Sequence, residues 1–378
     1  MTHTNTTAKT TNGDLNGDLD LTIPQRHRAA IYDKPGTIST KLVEVDTPEP
    51  GAGEVLIRLT HSGVCHSDLG VMTNSWETLP KPTPAGQIGG HEGVGRVVKL
   101  GPGVESSGIK VGDRVGVKWV ASVCHRCAPC LAGVDGLCIN STVSGYFRPG
   151  TFQQYVVGAA DYVTPIPEGL SSASAAPMLC AGVTMYDALK KAQVKGGEWV
   201  VISGAGGGLG HIGVQIAARG LGLRVIGIDH GSKRGLVEAS GAEHFLDFQQ
   251  FAGDDIVAEV VRLTGIGAHA ALVANTSNKV YEQALHYLRF NGTLVCVGVP
   301  EGVAQPIASC KPGYLMVRQL TVAGACVGNR RDAQEVLDFA ARGVVDPHHT
   351  LVHLDKLTEV SVFLFCLLIS YLGDLCLS

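Results

Sequence analysis

The run Trp199-Val-Val-Ile-Ser203 is apolar almost throughout, breaks into Gly204-Ala-Gly-Gly-Gly-Leu-Gly210, and resumes as a helix-like stretch from His211 to Arg219. A short apolar strand that turns through glycines into a helix begins a parallel α/β unit, because parallel strands need a covering crossover. Further strands are predicted at Arg224 to Ile228, Ala271 to Val273 and Thr293 to Val297, with helical segments between them. An Ala-rich helical stretch precedes them, from about Ser172 to Ala192. The spacing predicts a doubly wound parallel sheet. Glycines at Gly204, Gly206, Gly207, Gly208 and Gly210 let the backbone turn tightly and approach a pyrophosphate, whose charge meets the N–H groups and dipole of the helix N-terminus. The loop by itself is also compatible with a glycine turn that binds nothing. Asp229 sharpens it, because the next strand ends on this carboxylate. It can accept both hydroxyls of an adenosine ribose and repels a 2′-phosphate, so NAD is expected over NADP.

From Arg28 to about Val157 the pattern differs. Short β-like runs at Glu54 to Leu59, Gly95 to Lys99 and Arg114 to Val117 are punctuated by Gly and Pro, as in a small antiparallel, barrel-like domain. A length of 378 residues allows two domains. We expect a disordered tail (1–24), a β-rich domain (25–177), the α/β domain (178–322), and a segment (323–378) with a helix at Asp332 to Ala341 that returns to the first domain.

Inside the β-rich block, Cys124, Cys127, Cys130 and Cys138 follow one another as Cys-x-x-Cys-x-x-Cys-x7-Cys, in a lobe of about residues 119–141. Four thiolates at this spacing suit one tetrahedral Zn²⁺, and such a site is coordinatively closed, so its role is structural. Free thiols or two disulfides are the alternatives. No secretory signal is read at the N-terminus, which favours metal over disulfides and makes cytoplasm the expected location. Lys and Arg (30) nearly balance Asp and Glu (34), with no basic block, so neither nucleic acid nor an anionic membrane is an expected partner. The ligand is expected to be small. The stretch from Val360 to Leu372 is nearly all apolar, but it falls short of the roughly 20 residues that span a bilayer.

Three more fragments carry ligand-type residues: Gly63-Val-Cys65-His66-Ser67-Asp68, Gly89-Gly-His91-Glu92-Gly93 and Met178-Leu-Cys180-Ala-Gly182. Spacing alone cannot pair groups so far apart, and a lone Cys or His is more often core than ligand. With the four-cysteine lobe and the glycine loop, however, they stand in the order of the zinc-dependent alcohol dehydrogenases of the medium-chain superfamily. The chain resembles the yeast and fungal branch from about Arg28 to Val345. That resemblance implies a GroES-like catalytic domain beside a Rossmann cofactor domain, two Zn²⁺ per subunit, and a homodimer or homotetramer. It implies oxidation of small primary alcohols to aldehydes by hydride transfer to NAD. Cys65, His91 and Cys180 would bind a catalytic zinc, with Glu92 or water in the fourth position, leaving a Lewis-acid site. Asp68 would orient His91, or else simply cap a turn. Ser67 would take the alcohol proton, His66 contact the pyrophosphate, Thr184 and Leu209 flank the nicotinamide, and Arg234 lie near the adenosine ribose. Trp76 and Trp119 match residues that narrow the pocket, while Val299 stands where a larger Met is frequent.

Two departures alter these expectations. Many relatives carry a His at the position of Gly70, where it completes a proton relay; here the proton is expected to leave Ser67 through the ribose hydroxyl directly to water. Beyond about Val360, an apolar run replaces an amphipathic helix and a Gly-Arg pair whose Arg contacts cofactor phosphate. Losing that charge-assisted contact costs about 1.5–3 kcal/mol, enough to weaken NAD binding about ten-fold or more. We read this end as a misassigned splice site or frameshift in preference to a membrane anchor. The alternatives to an alcohol dehydrogenase are a cinnamyl- or polyol-type reductase of the same superfamily, or an inactive zinc-stabilised binding protein.

Overall fold

The computed structural model describes residues 22–77, 79–253, 255–300 and 305–369. The expected disordered tail therefore lies, up to residue 21, outside the described residues, as does the chain after Ile369.

The first part contributes β1 (Arg26–Tyr32), β2 (Thr40–Asp46), β3 (Glu54–Ser62), α1 (His66–Thr73), β4 (Gln87–Ile88), β5 (Gly93–Leu100) and β6 (Arg114–Val117). It continues with β7 (Val120–Ser122), α2 (Ala128–Leu131), β8 (Thr142–Val143), β9 (Tyr155–Ala159) and β10 (Thr164–Pro165). Five of these strands form an antiparallel sheet in the order β10-β6-β5-β3-β9, and β2-β1-β4 form a second. Val55, Ile57, Val97, Val115 and Val156 pack between the strands of the larger sheet, as expected where branched side chains fill a curved, half-closed layer. The β7–β8 pair frames the loop that holds α2 and the four cysteines.

The second part opens with α3 (Ser172–Pro177), a wide π-helical turn (Met178–Gly182) and α4 (Val183–Ala192). A six-stranded parallel sheet follows: β11 (Trp199–Ser203), α5 (Gly208–Gln215), β12 (Arg224–Asp229), α6 (Arg234–Ser240), β13 (His244–Asp247), α7 (Asp255–Thr264), β14 (Ala268–Val273), α8 (Asn278–Ala284), β15 (Leu288–Cys296), α9 (Pro312–Arg318) and β16 (Thr321–Gly324). Its order, β13-β12-β11-β14-β15-β16, reverses direction between β11 and β14. At such a switch point the connections leave in opposite directions and open a crevice at the carboxyl ends of the strands. The unbroken apolar run of β11 has its reason here. Val200 and Ile202 face one core with Val225, Leu272 and Val295. Trp199 and Val201 face the other with Ile226, Val273 and Leu294. A strand buried on both faces cannot alternate.

After β16 come α10 (Arg330–Ala341) and α11 (Leu357–Ile369). Leu357 and Ser361 are buried, and Thr358 Oγ1 lies 2.6 Å from Thr40 Oγ1, so α11 starts docked against β2. No described helix is long and apolar enough to cross a membrane.

Within the parallel sheet, two short strands, β13 and β16, are absent from the sequence-based expectation. His244-Phe-Leu-Asp247 and Thr321-Val-Ala-Gly324 each carry only two apolar positions between polar or glycine ends. Helix α5 begins at Gly208, three residues before His211, because the glycine loop itself winds into its first turn.

Candidate metal centres and nucleotide site

Cys65 ends the connection from β3 and precedes α1. Its N–H donates to Asp68 Oδ2 at 2.9 Å, closing the first turn of the helix. Asp68 Oδ1 accepts from His91 Nδ1 at 2.9 Å and from the Gly90 N–H at 3.2 Å. One buried carboxylate thus caps the helix bearing Cys65 and Ser67 and also orients the ring of His91. With Nδ1–H given to Asp68, Nε2 faces Cys180 Sγ, 3.3 Å away. Cys65 Sγ lies 3.8 Å from Cys180 Sγ and 3.6 Å from Ser67 Oγ.

Glu92 completes the group. A Cβ on Gly63 would stand 1.8 Å from Glu92 Oε2, so only glycine at 63 leaves the carboxylate its place. One ligand atom each from Cys65, His91, Glu92 and Cys180 lies within 4.8 Å of the others. Cys180 sits in the π-helical turn that follows Pro177, which lacks an N–H to continue a regular helix.

Electrostatics show what charge this cluster suits. Hydrogen bonding to Cys180 holds the Cys65 thiol well below its usual range, against the opposing effect of burial. Cys180 is pushed well above its own range, first by sharing that bond and then by burial. Burial raises Glu92 well above ordinary carboxylates, and the negative charge of Cys65 adds to it. Burial depresses His91, but the Asp68 carboxylate and the Cys65 sulfur together more than offset this and hold the ring well above an ordinary imidazole. Acids crowded together and competing for protons fit a divalent cation. Two sulfurs and an imidazole nitrogen suit Zn²⁺ in particular.

The second cluster joins Cys124, Cys127, Cys130 and Cys138, whose sulfurs also lie within 4.8 Å of one another. The 3.4 Å between the sulfurs of Cys127 and Cys130 is far longer than a disulfide bond of about 2.05 Å. All four are free thiols. The Asn140 side-chain amide donates to Cys124 Sγ at 3.5 Å and, with the Arg126 N–H, draws that thiol down to about 5. Four sulfurs without any other ligand atom among them fit a closed Zn²⁺ site.

At the carboxyl end of β11, Gly204 turns with φ +79°, and a Cβ on Gly210 would lie 2.0 Å from Gly204 O. The loop therefore folds back on the first turn of α5 at the sheet's switch point. Asp229, at the end of β12, is buried; its Oδ2 accepts from the Gly206 N–H and its Oδ1 from the His230 N–H, each at 2.7 Å. Gly207 and Gly208 are under no comparable steric demand. The Arg234 guanidinium pairs with Glu238 at 3.1 Å and stacks 4.6 Å from the ring centre of Phe245. The side chain packed over the loop is Lys233, whose Cβ would lie 2.5 Å from a Cβ on Gly206. Lys233 stands directly before Arg234 in the chain.

His211 is a second residue the sequence did not single out. Its Nδ1–H donates to Gly207 O at 2.8 Å, and its Nε2 accepts from the His348 N–H at 3.0 Å. It thereby ties the glycine loop to the segment after α10.

Of the remaining candidates, His66 is the first residue of α1 and Thr184 is buried in the first turn of α4, four residues after Cys180. Leu209 is partly buried against the main core, and Val299 is 38% exposed. Trp119 meets His91 edge-on with ring centres 5.0 Å apart, and Trp76 lies against Trp119 at 6.1 Å.

Comparison with known proteins agrees with this arrangement. Residues 51–168 match the alcohol dehydrogenase GroES-like domain family, and residues 208–342 match the zinc-binding dehydrogenase family. Alcohol dehydrogenase 2 of Emericella nidulans is 60% identical over 344 residues, covering 89% of this chain and 94% of that protein. Among solved structures, acetophenone reductase from Geotrichum candidum in complex with NAD is 29% identical with a TM-score of 0.78, covering 91% of this chain and 95% of that one. The alcohol dehydrogenase of the archaeon Aeropyrum pernix is 29% identical with a TM-score of 0.79, covering 90% and 97%.

Proposed function

The chain belongs to the zinc-dependent alcohol dehydrogenases of the medium-chain superfamily, fungal type, and on that premise we propose that it interconverts small primary alcohols and their aldehydes with NAD as hydride carrier. The observation that carries the reading is the buried set Cys65, His91, Glu92 and Cys180, with Asp68 fixing the ring of His91. Cys65, His91 and Cys180 would hold one zinc, with Glu92 or water as fourth ligand; Cys124, Cys127, Cys130 and Cys138 would hold a second. When bound, the reactive zinc supplies Lewis acidity at the substrate oxygen and NAD supplies the hydride acceptor.

The chain's own residues do the rest. Asp68 retains the Nδ1 proton of His91, so that Nε2 stays available as a ligand atom. Ser67 Oγ, 3.6 Å from Cys65 Sγ, would take the alcohol proton and release it towards water. Trp76 and Trp119 restrict the pocket to slender alcohols. Asp229 receives the adenosine ribose hydroxyls, with Lys233 beside it, and the loop from Gly204 to Gly210 takes the pyrophosphate at the start of α5. We assign His66 to the pyrophosphate and Thr184 and Leu209 to the nicotinamide. The β-rich part to about residue 177 and the returning segment from about 323 form the catalytic domain, while 178–322 form the cofactor domain and add Cys180 to the reactive metal set.

An NAD complex of a relative supports the cofactor assignment. Exposed Met316 and Val317 beside the edge strand β16 support a homodimer or homotetramer. We place the protein in the cytoplasm, a location that co-fractionation with organelles would contradict.

Absorbance of the reduced cofactor tests the reading. Ethanol with NAD should give turnover, with NADP at least about ten-fold less efficient, as a difference of about 1.4 kcal/mol requires. Chelation should abolish the signal and Zn²⁺ restore it. Absence of turnover with NAD and every simple primary alcohol tried would overturn it.

A further inference from the structure

Gly70 lies in α1, the helix that begins beside Cys65 and carries Ser67 and Asp68. The space that a side chain at this position would occupy is already filled. A Cβ on residue 70 would stand 2.6 Å from Nε1, 2.7 Å from Cε2 and 2.9 Å from Cδ1 of Trp76. Ordinary carbon contacts are about 3.5–4.0 Å. The five-membered edge of the indole therefore rests on the helix backbone itself. Trp76 Nε1 is buried and has no hydrogen-bond partner among the described residues. An unpaired buried N–H is unfavourable, so packing alone holds the ring at this depth. From Trp76 the contacts run on through Trp119, at 6.1 Å and 59°, to the ring of His91, at 5.0 Å and 84° from Trp119.

We propose that Gly70 is a positioning residue for substrate specificity: by lacking a Cβ it sets how deeply Trp76 sits in the alcohol pocket, and hence which alcohols fit. The inference rests on the alcohol dehydrogenase reading above. The helix cannot yield to a larger residue, because Asp68 ties its first turn to Cys65, Gly90 and His91, while Leu69, Val71 and Met72 are buried. The indole must move instead, by about an ångström for a methyl group alone. A larger side chain at 70 would displace it further.

Gly70→Ala is the test, since alanine is favoured over glycine inside a helix and the fold should tolerate it. The quantity read is the ratio of kcat/KM for hexan-1-ol to that for ethanol. It should shift about five-fold or more, in either direction, in Gly70→Ala. It should also shift in Trp76→Ala, and adding Gly70→Ala to that variant should change it less than about two-fold, because coupled residues are not additive. Apart from turnover, the emission of Trp76, obtained as the difference from Trp76→Phe, should change in wavelength on Gly70→Ala. An unchanged ratio overturns the proposal whatever the emission does, and so does an equal shift once Trp76 is gone. Were the parent protein to turn over no alcohol, the functional reading would fall, and the Trp76 emission would decide the contact by itself.

Discussion

Asp68 divides its two oxygens among three donors: the Cys65 N–H, the Gly90 N–H and His91 Nδ1. Nothing in the local sequence could choose between a helix cap and an orienting carboxylate, because the choice depends on a residue 23 positions away. His211 shows the same limit from the other side. It directly follows the glycine motif, yet its partner His348 is 137 residues distant. The geometry makes His211 a neutral ring, donor at Nδ1 and acceptor at Nε2. Burial holds its pKa below the usual 6.5, with His348 and Asp346 as the charged groups nearby. The sign follows. The unfolded chain takes up the proton first, so the stability His211 provides is whole above about pH 6.5 and falls away as pH drops toward the lower folded value. His211→Gln, which keeps a donor and an acceptor, should flatten the decline of Tm between about pH 7 and pH 5. A decline as steep as that of the parent protein would show that this ring does not titrate as described.

Elements were legible where one physical pattern dominated. The runs forming β6 and β11 have the bounds their apolar residues predicted. Helix α5 starts early because its first residues are held by the loop and not by propensity. The parallel sheet closes on one side with β16, whose Thr321, Val322 and Gly324 are exposed. Such an edge offers unpaired N–H and C=O groups to a second strand. With Met316 75% and Val317 86% exposed on α9, this is where we expect two copies to meet. Like charges facing each other across a two-fold contact repel. Val317→Glu should therefore yield a smaller species in sedimentation while leaving the far-ultraviolet dichroism intact. A parent protein that sediments as a monomer, or a variant of unchanged mass, would exclude this edge.

The whole molecule joins its parts at the four-cysteine lobe. Asp135, in that lobe, accepts from Tyr162 Oη at 3.0 Å and from the Arg330 N–H at 3.2 Å, and Asn329 Nδ2 donates to Gly133 O at 3.1 Å. The lobe is thus clamped onto the start of α10. Its four cysteines could be grouped directly, because all four lie in one short stretch. Cys65, His91 and Cys180 could not, since sequence separations of 89 and 115 residues hide their convergence, and only the resemblance paired them. The fold brings them together by setting α1, the turn before β5 and the π-helical turn at one place. The account therefore holds that the chain carries two zincs with separate tasks, and metal content read alongside stability and turnover tests this most directly. About two zincs per chain are expected in the parent protein and about one in each of Cys65→Ser and Cys124→Ser. Cys65→Ser should keep its Tm and lose turnover, whereas Cys124→Ser should lose stability or assembly first. A single zinc in the parent protein, or two variants that lose only activity, would contradict it.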